Sequence, residues 1–454
     1  MIRFYSVTLF LILSVWSYSV SAQQKLADAF KNGKVRGNFR TYYFYEDNDG
    51  DLKDWNTLSM GGMLGYETAP FKKLSIGVAF YTSQDLGIGN TDELDPTTGK
   101  PSRYALGNYD VEDISNREIY QLGELYLRFK TEKHHLQIGR MKQKNPFLNP
   151  EDGRMIPTLF QGIWYTNNSF KNWRLEAGVI NAIFVRSSTK WYNPDNSFVY
   201  AQGRSVTGVN ASYRGNTGSD FIAVGHVQGK LTEHLTISVW DYYADNIFNT
   251  IYSELTYKRK IKDWDFFLGF EQAHQDRIND GGNADVNQAY FQDKQSNLYG
   301  GRLAMGKKGW TYGINVEHIS AEGRFVFPRE WGREFTYTFQ KRERTEGSAD
   351  VFNWVLDIEK KQKLKGGDAI SAKFGGGVYN RPDPTDAAKN KYAMPSNTQF
   401  NLDVFYHFNN TFKGLSIEGL VVYKGALDSN ISNPNFILGK VDMTLYHLIL
   451  NYRF

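Results

Sequence analysis

Apolar and polar residues alternate with a period of two over much of the chain. The segment LSIGVAFYT (74–82) places leucine, isoleucine, valine and phenylalanine on one face and small or polar residues mainly on the other. WTYGINVEH (310–318) and TQFNLDVFYHF (398–408) repeat the pattern. A period of two is typical of β-strands with one apolar and one polar face. Because it recurs to the last residue, the pattern predicts an all-β fold.

The connections between the predicted strands alternate in length. The short ones are 69–72, 131–133, 167–172, 229–233, 260–264, 306–309, 363–367 and 410–414. The long ones are 46–54, 83–118, 143–158, 187–218, 276–295, 320–348, 380–396 and 425–439, with a tighter bend near Asp245–Phe248. Short periplasmic turns at one rim and long extracellular loops at the other are typical of a transmembrane antiparallel β-barrel.

The number of predicted strands is about 18, an even number, as in bacterial single-chain barrels. The segment RSVTGVNASYRG (204–215) also has strand character. Counting it would make the number odd and would separate the two termini. We therefore assign 204–215 to the long loop after Ile183, where it is a candidate flap.

The N-terminus is predicted to be a secretory signal peptide, residues 1–22. Arg3 precedes an apolar segment, Phe4–Trp16, and VSA (20–22) resembles a cleavage site. A signal anchor is the alternative, but no basic stop-transfer cluster follows. We expect a single β-barrel domain over 23–454, located in the bacterial outer membrane.

Composition narrows the function further. Removing Arg3 changes the formal charge from +4 to +3, which argues against a nucleic-acid partner. The absence of cysteine excludes disulfides and thiolate chemistry. Mean hydropathy is −0.51 although aromatic residues make up 15% of the chain. A barrel with an apolar outer wall and a wet lumen reconciles these two values.

Several segments resemble the OprD-type outer-membrane porins, in particular a divergent branch of that family. The most specific segment is LQIGRMKQKNPFLNPEDGRMIPTLFQG (136–162). The resemblance is less specific in the other segments, which are 26–44, 74–87, 123–129, 239–254 and the C-terminal strand. The resemblance implies an 18-stranded barrel with a narrow channel for passive, weakly selective diffusion of small hydrophilic solutes. Carboxylates and amino acids are the solute classes that it suggests.

A proline-rich segment interrupts the strand pattern at 145–157. Its three prolines lack the N–H group that a sheet requires. The resemblance implies that 143–158 is a constriction loop folded into the barrel. We expect apolar anchors, two carboxylate acceptors and one basic donor, namely Phe147, Met155, Glu151, Asp152 and Arg154. An exposed surface loop is the alternative.

Strand alternation also predicts charged residues that face the lumen. These include Arg36, Arg40, Glu124, Arg128, Arg302, Lys373 and Asp403. The family has a row of basic residues along its channel wall, whereas this lining is mixed, so anion preference stays open. Arg140 should face outward unless a bulge at Gly139 turns it inward.

Other motifs carry less weight. GRLAMGKK (301–308) lacks the serine or threonine of a P-loop, and EDNDGDLKD (46–54) departs from calcium-loop spacing. The balanced charges of 320–348 predict a salt-bridged surface loop. No histidine arrangement indicates a metal site or a catalytic set, so no metal, cofactor or enzymatic activity is expected. An outer-membrane lipase-like or protease-like barrel and a non-conducting structural barrel are the alternative functions.

Partners follow from the same expectations. Besides solutes, we expect contact with outer-membrane lipid and lipopolysaccharide. The last strand, YHLILNYRF, ends in Phe454 and resembles the signal that barrel-assembly machinery recognises. An ordinary edge strand is the alternative interpretation of that ending. A monomer and a homotrimer are both compatible with the sequence.

Overall fold

The computed structural model of the protein describes residues 25–151 and 153–454. The predicted signal peptide and Asp152 therefore lie outside the described residues. A short helix α1 (Leu26–Lys31) precedes the first strand, and α2 (Pro434–Ile437) lies in the last long loop. No helix in the described part of the chain has the length and apolar character needed to cross a membrane.

In the described part of the chain, eighteen strands form the closed barrel, and a further two-residue strand extends the sheet at one point. The strands are β1 (Lys34–Asn48), β2 (Trp55–Glu67), β3 (Leu74–Gly89), β4 (Glu118–Lys130), β5 (His134–Met141), β6 (Leu159–Asn167), β7 (Trp173–Phe184), β8 (Trp191–Tyr192), β9 (Ile222–Lys230), β10 (Leu235–Ala244), β11 (Phe248–Ile261), β12 (Trp264–Arg277), β13 (Gln295–Lys307), β14 (Trp310–Ile319), β15 (Val351–Lys363), β16 (Ala369–Asn380), β17 (Asn397–His407), β18 (Leu415–Ala426) and β19 (Met443–Arg453).

The sheet closes because the last strand pairs with the first. β19 runs antiparallel to β1 from the Asn38–Arg453 pair to the Asn48–Met443 pair. In lipid every backbone N–H and C=O must find a partner within the protein, and closure satisfies both edge strands. The predicted 18-stranded antiparallel barrel is confirmed.

The segment 204–215 is loop, as the even strand number required. It contains one isolated bridge, between Arg204 and Asn210. The additional strand is β8, which pairs with the end of β7 at Ile183 and Phe184. β9 pairs with the rest of β7, from Trp173 to Ile180.

The two faces of the wall are inverted relative to a water-soluble protein. Apolar side chains such as Leu64 and Ile314 are more than half exposed on the outside, at 58% and 54%. Inward-facing polar groups such as Glu124, Asn315 and Glu317 are buried. This arrangement, apolar outward and polar inward, explains how an aromatic-rich chain has a negative mean hydropathy.

The loops at the long-loop rim build a second layer inside this wall. Buried residues from 90–117, 142–158, 185–221 and 320–350 belong to this layer. Two apolar clusters hold the loops against the wall. One is centred on Phe147, Phe327 and Trp331, and the other on Tyr42 and Met155.

Candidate functional site

Phe147 fixes the segment 142–158 against the inner wall. Its ring meets the rings of Tyr242 and Tyr252 edge-on, each at a centroid distance of 5.3 Å. Both tyrosines belong to the inward face of their strands, β10 and β11. Phe327, from the segment 320–350, stacks on the other side at 4.9 Å. The side chain of Phe147 is thus enclosed between the wall and a second loop.

The segments 142–158 and 320–350 are also joined by hydrogen bonds. The Asn149 side chain donates to Arg333 O at 2.7 Å and accepts from Arg333 N at 3.1 Å. Thr158 Oγ1 donates to Glu330 O at 3.1 Å. At Gly332 the backbones approach so closely that an added Cβ would lie 2.2 Å from Phe147 O.

The prediction of a surface loop at 320–348 is wrong, although the predicted salt bridges are present. Trp331 and Glu334 are buried, and the Tyr337 hydroxyl donates to the wall residue Glu254 at 2.6 Å. A run of apolar residues, Phe325–Phe327, packs in the same cluster as Phe147. Because most buried charges of this segment form ion pairs, the balanced composition permits burial as readily as exposure.

Glu151 lies at the centre of a buried charge network. It forms ion pairs with Arg186 and with Arg333, the latter at 2.6 Å, and Arg344 lies 3.8 Å away. Burial alone would raise the pKa of Glu151, but Arg186, Arg333 and Arg344 lower it to about 2. The carboxylate is therefore ionised and joins three loop arginines.

Arg154 and Arg342 bring further positive charge into the same region. The Arg154 guanidinium donates to Tyr104 O, and its own carbonyl accepts from Arg40. Arg342 donates to the Tyr42 hydroxyl at 2.5 Å. Burial, and then the charge of Arg342, lowers the pKa of Arg154 to about 10. Among the described residues neither arginine forms an ion pair with a carboxylate.

Glu343 fixes the C-terminal part of the segment 320–350. It pairs with Arg381 at 2.6 Å and with Lys424 at 2.7 Å. Burial would raise the pKa of this carboxyl, but Lys424 and Arg381 lower it to about 2. Arg344 pairs with Glu334 at 2.6 Å. The segment 320–350 is thus fixed by charge pairs as well as by apolar packing.

A cavity of about 410 Å³ lies between these loops. Among the described residues, eight basic and two acidic ones line it. They are Lys100, Arg103, Arg154, Arg186, Arg329, Arg333, Arg342, Arg344, Glu151 and Glu343. Tyr104 also lines it, and although burial would raise the pKa of this phenol, Arg103 and Lys424 lower it. The cavity is electropositive.

The lumen charges singled out from alternation mostly form ion pairs with other strands of the inner wall or with an inner loop. Arg36 pairs with Glu124 at 2.5 Å, and Arg302 pairs with Asp357 at 2.7 Å, with Lys373 3.9 Å from the same carboxyl group. The other ion pairs are Arg128 with Glu67 at 2.5 Å and Asp403 with Lys341 at 2.6 Å. Arg40 Nε donates to Asn451 Oδ1 at 2.7 Å.

Arg140 lies at the long-loop end of β5. Its guanidinium donates to Gln161 Oε1 at 3.1 Å and lies 4.7 Å from the ring of Trp191. Gly139 has a φ of 119°, but β5 keeps continuous register with both neighbours through this point. β5 therefore has no bulge at Gly139 and pairs regularly with β4 and β6.

Sequence reasoning missed most of the arginines around the cavity. Arg186, Arg342 and Arg344 belong to long loops with the composition of exposed segments, and Tyr104 lies in another such loop. The apolar run at Phe325–Phe327 was the available signal, since a loop with such a run inside a barrel tends to be buried. The pairing of these loops with one another has no signature in sequence spacing.

Known structures share this architecture. The chain is similar to Pseudomonas aeruginosa OccK1 (OpdK), with 15% identity and a TM-score of 0.65, covering 94% of this chain and 99% of that one. It is similar to Acinetobacter baumannii OccAB4, with 14% identity and a TM-score of 0.71, covering 93% and 98%. For P. aeruginosa OccK9 (OpdG) the identity is 17%, the TM-score 0.68 and the coverage 94% and 99%. No curated protein sequence gives a significant match.

A family model supplies the sequence evidence. The model of the outer membrane porin, OprD family, matches residues 28–306, which is more than half of the chain. The matched range begins before β1, includes the segment 142–158 and ends within β13. The closed barrel continues beyond it to β19. The chain belongs to the OprD family of outer membrane porins.

Proposed function

We propose that this porin favours small anionic solutes, carboxylates first, during passive and weakly selective diffusion. The observation that carries the proposal is the excess of basic residues around the cavity, eight against two acidic ones among the described residues. A desolvated cluster of positive charge raises the local concentration of anions. Guanidinium groups also match the planar geometry of a carboxylate.

The solute would meet the arginines that are not already paired with a carboxylate among the described residues. Arg154 and Arg342 are the best candidates, and Tyr104 offers a hydroxyl beside them. We assign the constriction to 142–158 together with 320–350, with Phe147 and Met155 as anchors and Glu151 as the charge that holds the surrounding arginines in place. Pseudomonas aeruginosa OpdK has been solved with vanillate, a carboxylate.

Ion selectivity in planar bilayers tests the proposal. The reversal potential in a potassium chloride gradient should indicate anion preference, and Arg154→Ala should reduce it more than Lys373→Ala does. Asp152→Ala should also shift it. Lys373 is the matched control because its side chain is 49% exposed and its nearest carboxyl lies 3.9 Å away. If the Arg154 and Asp152 substitutions are both silent, 142–158 is not the constriction.

Solute class needs a second measurement. With potassium chloride on one side and potassium succinate on the other, the bi-ionic reversal potential gives the relative permeability of the carboxylate. Wild type should admit succinate more readily than the Arg154→Ala/Arg342→Ala double variant does. A folded protein that never conducts would instead support a non-conducting structural barrel.

We also propose the remaining partners. Barrel-assembly machinery would recognise Phe454, whose ring is exposed. The backbone of Phe454 exchanges two hydrogen bonds with Gly37, at 3.0 and 3.2 Å. Lipopolysaccharide would surround the long-loop rim. Crosslinking in membranes, followed by electrophoresis without heating, distinguishes a monomer from a homotrimer. Deleting Phe454 should lower the yield of folded barrel.

A further inference from the structure

A row of alternating aromatic and basic side chains crosses the barrel wall at the short-turn end. Lys307 pairs with Trp310, and Trp310 pairs with Lys360 on the next strand. On the other side, Lys307 Nζ lies 5.5 Å from the ring of Trp264. Lys360 Nζ lies 4.8 Å from the ring of Trp310. Four neighbouring strands, β12 to β15, thus contribute tryptophan, lysine, tryptophan and lysine in turn.

This row faces the membrane and not the lumen. Trp310 is in phase with Tyr312 and Ile314, which are exposed on the outer face. Lys307 is in phase with Leu303 and Met305, which are exposed there too. Side chains two residues apart on a strand share a face. The side chains of Lys307 and Lys360 therefore leave the wall on its lipid-facing side.

Arg259 adds a third cation on the same face. It lies on β11 in phase with Leu255 and Ile261, both exposed outward, and it pairs with Phe266 of β12. We call Arg259, Trp264, Lys307, Trp310 and Lys360 the basic–aromatic belt.

The positive charge of the belt is only weakly compensated by the protein. Lys307 lies 3.4 Å from Asp263, whose side chain is 75% exposed in the turn. Lys360 Nζ donates to Lys308 O at 3.1 Å, a backbone carbonyl without formal charge. Three cations thus have one carboxylate within ion-pair distance among the described residues.

Three strand cations at this end of the barrel face the lumen instead. Lys258 Nζ lies 5.5 Å from the ring of Phe267, which in turn packs edge-on against Tyr337 inside the barrel. Lys260 and Lys363 occupy inward positions by the same alternation. The cations of the belt thus lie on the lipid-facing side, whereas these lysines line the lumen. Tryptophan side chains on the lipid-facing side are typically found at the depth of the lipid headgroups, so the belt cations lie at that depth.

We propose that the basic–aromatic belt binds the phosphate headgroup of an anionic glycerophospholipid in the periplasmic leaflet. The outward cations would contact the phosphate, and the tryptophans would contact the glycerol and upper acyl region. A zwitterionic headgroup brings its own ammonium group and satisfies the excess charge less well. A cell-wall polymer would approach from the periplasm and meet the turn tips and not the lipid-facing wall.

Native mass spectrometry of the folded barrel in detergent tests this proposal. The protein is mixed with equal amounts of phosphatidylglycerol and phosphatidylethanolamine that carry the same acyl chains. We expect wild type to retain phosphatidylglycerol preferentially. The triple variant Arg259→Gln/Lys307→Gln/Lys360→Gln should lose this preference, with affinity falling by about fivefold for each cation removed. Heat-modifiable electrophoretic mobility confirms that each variant is folded.

The matched control removes the same charge from the same end but from the other face. Lys258→Gln/Lys260→Gln/Lys363→Gln should keep the preference for phosphatidylglycerol. Equal losses in the two triple variants, or no preference in wild type, would overturn the proposal. Displacement of the lipid by inorganic phosphate at the same phosphate concentration would also overturn it, in favour of a simple phosphate site. Lys307→Gln alone provides an intermediate variant should the outward triple not fold.

Discussion

The ion pair between Glu151 and Arg333, with 2.6 Å between Oε1 and Nη2, joins two loops that are 182 residues apart in the chain. Both side chains are buried inside the barrel. Arg186 reaches the same carboxylate from a third loop. One carboxylate therefore organises three loops, and its removal tests whether they act together.

Glu151→Gln should loosen these loops without unfolding the barrel. Removing one partner of a buried ion pair costs about 3–5 kcal/mol, because the remaining charges stay desolvated and unpaired. The loops should become sensitive to trypsin while the heat-modifiable migration of the barrel is retained. Glu93→Gln is the control, since its pair with Lys53 is solvent-exposed on the carboxylate side. Equal trypsin sensitivity of the two variants would contradict the central role of Glu151.

Acid should weaken the same loops. The pKa values of Glu151 and Glu343 are lowered to about 2 in the folded protein, against about 4.3 in an unfolded chain. A carboxyl with a lowered pKa contributes its stabilisation fully above the unfolded pKa, and loses it as pH falls through the folded pKa. Each carboxylate is thus worth about 3 kcal/mol at neutral pH, and this contribution disappears between about pH 4.5 and pH 2.

Pepsin cleavage measures this pH dependence. Wild type and Glu151→Gln are compared at each pH, so that changes in the protease itself cancel. The protection that distinguishes wild type should shrink as pH falls below about 4.5. A difference that stays constant down to pH 2 would show that the ionisation of Glu151 does not hold the loops.

The barrel is predictable from sequence because the membrane imposes simple rules. Lipid on one side and water on the other require a period of two, and closure requires an even strand number for single-chain bacterial barrels. These rules assign 204–215 to a loop despite its strand-like pattern, and its single Arg204–Asn210 bridge agrees. Alternation also indicates which wall charges point inward, although not their partners.

The inner loops follow no such rule. A balanced set of charges at 320–348 fits a solvated loop and a buried network equally well. What decides between them is packing of Phe327 on Phe147 and of Trp331 on Phe327, and the Phe147 contact joins residues far apart in sequence. The prolines of the segment 142–158 exclude a strand, whereas the expectation that this segment folds inward came only from the family resemblance.

Phe147→Ala should release the segment 142–158 from the wall. The ring packs against Tyr242, Tyr252 and Phe327, and truncating a buried phenylalanine costs about 3–5 kcal/mol. Single-channel recordings should show noisier current with more substates than wild type. Phe170→Ala, in an exposed short turn, should leave the current unchanged. If the Phe147→Ala channel is as quiet as the wild-type channel, other contacts hold the loop.

Gly62→Ala should impair barrel closure beside the first strand. Gly62 has a φ of 142°, and an added Cβ would lie 1.9 Å from Asn38 O of β1. Because the obstacle is backbone, relief requires the strands to shift, and strain of this kind costs about 1–3 kcal/mol. The temperature at which the folded band disappears on electrophoresis should fall. Gly419→Ala is the control, since nothing lies within 4 Å of a methyl group added at that position.

Lys341→Met should shift the channel towards cations. Lys341 Nζ reaches from the inner loop to two wall carboxylates, Asp403 at 2.6 Å and Glu418 at 2.7 Å. Replacing it with an apolar side chain of similar length removes the ion-pair partner of both carboxylates and makes the lumen there more negative, where the field is focused. The reversal potential in a salt gradient should therefore move towards the value for a cation-preferring pore.

The control for Lys341→Met is Lys373→Met, which removes the same charge from the wall. Lys373 stands 3.9 Å from Asp357, and Arg302 still neutralises that carboxyl at 2.7 Å. Its substitution should therefore change the reversal potential less. Equal shifts would mean that selectivity follows the net charge of the lumen, and that the link from Lys341 to Asp403 and Glu418 has no particular role.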